Sequence, residues 1–181
     1  MIPAIVILIL GAIALGLNFK STGTEDCPGH WHAAFAIFVN DARLNYSEPE
    51  QHPVAYGAAG HDHHLHGDDG IYHFHPPVER CIPVRAMLER LDVGIDGDSL
   101  LVGSTHGPLA GTYNATADAT LQIWHQPYGG AWEIAAWPKI KELQLGDGDR
   151  ILFTYGDQNP ATLEAQKNSM KDLGTYDPGD V

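Results

Sequence analysis

Histidine alternates with a large apolar residue at three places in this chain: His30-Trp31-His32, His64-Leu65-His66 and His73-Phe74-His75. Side chains along a β-strand point to opposite faces in turn, so each triplet reads as a strand with imidazoles on one side and an anchor on the other. The first triplet continues as HWHAAFAIFV. Trp31, Ala33, Phe35, Ile37 and Val39 form one apolar face, while His30, His32, Ala34, Ala36 and Phe38 form the other. Asn40-Asp41 then predicts a turn into a short partner strand around residues 43–46.

The second and third triplets predict a hairpin. A turn through Gly67, Asp68, Asp69 and Gly70 pairs His66 with Ile71 and His64 with His73. One face then carries His64, His66, Ile71, His73 and His75, and the other carries Leu65, Tyr72 and Phe74. The imidazoles converge because the apolar residues between them must be buried. Six of the eleven histidines fall between His61 and His75. Outside the triplets, His52, His106 and His125 are expected to be ordinary surface or core residues.

The rest of the chain supports a mainly β fold, sandwich or barrel-like and α+β at most, with short surface helices. Further strands are predicted at 99–102, 121–125, 132–136 and 150–155, the last introduced by the acidic turn LGDGD. Pro83 in the first turn, with Val84, Met87, Leu88 and Leu91 recurring at helical spacing, predicts a helix stopped by Gly94. Near the end, Asn159 as cap and Pro160 in the first turn open a short surface helix, with Gly174 as its stop. Leu163, Met170 and Leu173 give it a thin apolar stripe.

Before the first triplet, Ile2 to Phe19 carry no charge and would reach roughly 27 Å as a helix, the short end of a membrane span. A cleaved signal peptide ending near Ala12 and Ala14 is the competing reading, but no Lys or Arg precedes Lys20. The expected organisation is therefore an anchor over 1–19, a polar linker over 20–29, a histidine-rich β domain over 30–156 and a tail with a short helix over 157–181. The formal charge of −13, with only 10 Lys and Arg, argues against nucleic acid as a partner. Lipid around residues 2–19 and the other subunits of a membrane complex are the expected partners.

Two or three such strands brought together supply the three or four imidazole nitrogens that zinc or copper accepts. His30, His32, His64, His66, His73 and His75 are the expected ligands. The three methionines lie elsewhere, so a thioether Cu(I) site is not indicated. The alternative without metal is a pH sensor, since crowded imidazoles repel once protonated near their free value of about 6.5. A cupin-like metal enzyme is a further alternative. Cupins place Glu a few residues after H-x-H, whereas here Ala33 to Phe38 follow His32 and Asp68-Asp69 follow His66, so a non-catalytic module fits better.

HWHAAFAIFVND followed by HLHGDDGIYHFH resembles a family of small membrane-anchored archaeal and bacterial proteins of unassigned function. Their pattern runs D-H-x-H-x-x-L-x-I-x-x-N-G, then H-T-H-D-x-x-G-x-I-H-I-E. His30 and His32 match the first pair; His64, His66, Gly70, Ile71 and His73 match the second. His75 stands where that family has Glu, and Gly67 where it has Asp. The resemblance covers residues 28–92 best and implies a histidine-lined site without implying a reaction.

The two cysteines, Cys27 and Cys81, each stand beside a histidine-bearing segment. A disulfide between them would tie those segments together and place the domain in an oxidising, extracytoplasmic compartment. Such a bond is expected to stabilise by about 4 kcal/mol from loop length alone. Intact mass of the unreduced protein checks it: two free thiols would rule the bond out.

Overall fold

The computed structural model describes residues 31–46, 63–65, 70–74, 82–157 and 159–173. Their strands are β1 (Trp31–Val39), β2 (Ala42–Arg43), β3 (His63–Leu65), β4 (Ile71–Phe74), β5 (Val93–Asp96), β6 (Ser99–Val102), β7 (Gly111–Tyr113), β8 (Thr120–Gln126), β9 (Glu133–Ala135) and β10 (Arg150–Gly156). The helices are α1 (Val84–Arg90), α2 (Trp137–Ile140) and α3 (Pro160–Asn168). The fold is mainly β, of α+β character. One sheet runs β3-β4-β1-β10-β8-β9, with β2 also paired to β1, and a second runs β5-β6-β7. Among the described residues both orders are open, an arrangement consistent with a sandwich.

β1 organises the large sheet. It pairs in parallel with β10, from Ala34 opposite Arg150 to Val39 opposite Tyr155, and antiparallel with β4 and β2 along its other edge. All nine of its residues are buried. Its odd positions enter the main core with Leu65, Tyr72 and Phe74 from the hairpin and Ile151 and Phe153 from β10. Val84, Met87, Leu88 and Leu91 around α1, and Leu100 and Val102 from β6, cover that core. The two-face alternation read from the sequence is therefore the arrangement observed. Asn40 and Asp41 take left-handed conformations, with φ of 46° and 69°, in a two-residue turn between Val39 and Ala42. That geometry suits the twist of a tight hairpin, and Asn and Asp tolerate it. The partner strand is Ala42–Arg43, earlier than the expected 43–46, although Leu44 and Tyr46 are buried beyond it.

Three expectations need correction. Gly94 does not stop α1: the helix ends at Arg90, Asp92 takes the left-handed conformation (φ 57°), and Gly94 lies inside β5. The Asp92 carboxylate also accepts bonds from the Thr105 backbone N–H (3.2 Å) and hydroxyl (2.7 Å), so it anchors the chain after β6. Gly103 leaves room for it, because a side chain there would run into that carboxylate. Secondly, Pro83 is the cap of α1 rather than a first-turn residue. The helix lacks a side-chain cap, and its Val84 and Arg85 N–H groups donate instead to the carbonyls of Leu143 and Lys141.

Thirdly, the surface helix α3 is shorter than expected and leads into a buried segment. Asn159 caps it, accepting from Ala161 and Thr162, but it ends at Asn168, and Gly174 lies outside the described residues. Met170 and Leu173 are buried with Ala34, Ala36, Phe38, Ile71 and Leu152 on the second face of the large sheet. Arg150 donates to the carbonyls of Lys167 (2.9 Å) and Met170 (3.1 Å), which satisfies the end of the helix from the sheet below. The Lys167 ammonium lies 3.7 Å from the centre of the Trp124 ring. Among the described residues no helix is long and apolar enough to cross a membrane, and the expected anchor over 2–19 lies outside them.

Packing of this segment predicts its energetics. Met170→Ala is expected to cost about 2 kcal/mol or more, as buried methionines do. Leu101→Ala, at a side chain 38 % exposed, is expected to change stability by less than about 0.5 kcal/mol. Urea unfolding compares the two; equal effects would contradict the packing of residues 159–173.

Candidate metal centre

The hairpin and β1 place three histidines side by side. In the antiparallel pairs, His64 lies opposite His73 and His73 lies opposite His32, so the three occupy neighbouring strands in one row. Directly opposed residues share a face. The intervening Trp31, Leu65, Tyr72 and Phe74 take the other face, where Trp31 and Phe74 stack at 4.7 Å and 3°. The apolar anchors therefore hold the imidazoles in line.

The His32 and His73 rings meet edge to face at 4.7 Å, and His64 stacks on His73 at 5.8 Å. His73 is thus shared by both contacts. It is 1 % exposed and His32 4 %, while His64 is half-buried. His30, His66, His75, Cys27 and Cys81 lie outside the described residues. Among the described residues, no three His, Cys, Asp or Glu are grouped so as to hold a metal ion.

The acidic turn before β10 reaches this row. Asp147 Oδ1 accepts from the His32 backbone N–H at 2.9 Å and lies 3.8 Å from His32 Nδ1. Two residues on, Asp149 serves the opposite face. Its carboxylate accepts from the backbone N–H groups of Tyr128 (3.0 Å) and Gly146 (2.9 Å) and bonds His125 Nε2 at 3.1 Å. Neither aspartate is singled out by sequence reasoning, which takes LGDGD for a turn alone. Their alternation just before an apolar strand is the available signal: residues two apart at a strand's entrance face one way only if the strand is regular, and here Gly146 and Gly148 break it.

His106 and His125 are buried and hydrogen-bonded, as expected of isolated histidines; His52 lies outside the described residues. His106 Nε2 lies 2.7 Å from the Leu91 carbonyl, so that nitrogen carries the proton. Burial lowers the pKa of His106 below its usual 6.5, against the opposing pull of the Leu91 carbonyl and of Asp92. Comparison of the chain with protein-family profiles, curated proteins and solved structures found no match.

The lowered pKa has a signed consequence. Below pH 6.5 the unfolded chain protonates this histidine while the folded chain keeps it neutral, so its contribution is present above 6.5 and lost as pH falls. His106→Gln retains an N–H donor for Leu91 but does not titrate. Between pH 7.5 and 5.5, wild type is expected to lose stability relative to this variant. Urea melts across that range check it, and a pH-independent difference would contradict the assignment.

Proposed function

We propose that this chain is a membrane-anchored, extracytoplasmic metal-binding domain that takes zinc or Cu(II) and serves, without catalysing a reaction, as an accessory subunit of a larger membrane complex. The observation that supports it is the row His64, His73 and His32 in register across three hydrogen-bonded strands. Neutral imidazole is a ligand for either ion. The sequence alternation assigns His30, His66 and His75 to the same side as further donors. This reading agrees with the histidine-lined site that the family resemblance implies. Residues 2–19 would hold the domain to lipid, with the Cys27–Cys81 bond suited to the outer compartment.

A second reading uses the same row without metal. The ring contact of His32 with His73 at 4.7 Å favours it, because two charged imidazoles so close inside the fold would repel. Acidification would then loosen the hairpin from β1.

Metal titration separates the two. The metal-free protein, purified without immobilised nickel, is expected to gain about 2.7 kcal/mol of stability at an ion concentration 100 times its dissociation constant. His66→Ala and His73→Gln are expected to abolish that gain, whereas His52→Ala and His106→Gln retain it. A wild-type chain whose thermal unfolding is unmoved by zinc and by Cu(II) would leave only the metal-free reading.

A further inference from the structure

We infer that Asp147 is the carboxylate that orients His32 for metal binding, holding the proton on Nδ1 and leaving Nε2 to face the ion. The inference rests on the metal-binding reading above. Histidine ligands commonly give their second ring N–H to a carboxylate, which fixes the tautomer and raises the basicity of the ligating nitrogen. Asp147 stands where that partner belongs, with Oδ1 3.8 Å from His32 Nδ1. A hydrogen bond needs roughly 3 Å, so a shift of about 1 Å by the carboxylate closes the gap.

The turn is fastened to β1 around this contact. Trp31 Nε1 donates to the Leu145 carbonyl, His32 N–H to Asp147 Oδ1, Gly148 N–H to the His32 carbonyl and Ala34 N–H to the Asp149 carbonyl, each at 2.9 Å. These bonds leave Asp147 little choice of position along the strand. Its side chain is 67 % exposed, while that of His32 is 5 % exposed. The carboxylate therefore sits at the solvent boundary of a buried ring, where it can turn toward Nδ1 without being desolvated itself. Its attachment to the His32 backbone also explains why an exposed aspartate is held beside a buried histidine.

Asp147→Asn tests the inference, because the amide oxygen still accepts from the His32 backbone N–H while the charge is lost. Long-range proton–nitrogen spectra of the full-length, metal-free chain report the His32 tautomer, and competition with a chromophoric chelator reports zinc affinity. In wild type His32 is expected as the Nδ1–H tautomer. Asp147→Asn is expected to shift it toward Nε2–H and to weaken zinc binding about 10- to 100-fold at unchanged stoichiometry. Asp147→Glu is expected to restore part of both. Wild-type His32 in the Nε2–H tautomer, or an Asn variant that binds zinc as tightly as wild type, would overturn the role of Asp147. A wild-type chain that takes up no zinc would sink the metal-binding reading instead, and the tautomer spectra would then decide by themselves whether Asp147 governs His32.

Discussion

The parallel pairing of β1 with β10 is the constraint on which the rest depends. It joins residues more than 110 positions apart and leaves β1 with a neighbour on each edge and a covered face on each side. A strand so enclosed cannot distribute polar residues freely. Odd positions must fit the main core, and even positions must fit beneath Met170 and Leu173. His32 inherits its burial from this placement, and His73 and His64 inherit theirs from antiparallel register with it.

Polar groups at the entrance to that pairing are met by partners on both faces. The turn before β10 reads Gly146-Asp147-Gly148-Asp149, and its two carboxylates serve opposite sides of the sheet, Asp147 toward His32 and Asp149 toward His125. Asp149 is buried, and a buried carboxylate is tolerable only when donors replace its water. Its three donors come from Gly146, Tyr128 and His125, that is, from the turn, the loop after β8 and β8 itself. On the second face Arg150 plays the complementary part. Burial pulls its pKa below the usual value against the pull of Asp172, and its guanidinium is occupied by Gln126 and by carbonyls at the end of α3.

Strict alternation made β1 and the histidine hairpin readable. A one-residue slip would expose Trp31, Tyr72 and Phe74, so the sequence admits one register, and His64 opposite His73 is the pair found. The parallel partner of β1 was not readable, since nothing local specifies which distant strand pairs with it. β5 and β7 escaped for the opposite reason. Val93–Asp96 contains Gly94, which resembles a helix stop, and Gly111–Tyr113 is too short to show a period. The burial of Met170 and Leu173 just beyond α3 is not legible in so thin a stripe; Arg150 and the Lys167–Trp124 contact secure the segment by means that hydropathy does not register. Asp147 is not legible because its bond to the His32 backbone is made across 115 positions.

The composition of the second face bears on why histidines stand there at all. One step along the same strands, Ala34 pairs with Ile71, both 0 % exposed and both apolar. Backbone geometry is continuous between that pair and the His32–His73 pair, so the sheet itself does not require imidazole. Burying a polar ring costs free energy that an aliphatic side chain would not, unless hydrogen bonds or a metal meet its nitrogens. At the histidine positions the three rings instead pack on one another, His73 between His32 and His64, with Asp147 fastened beside the first.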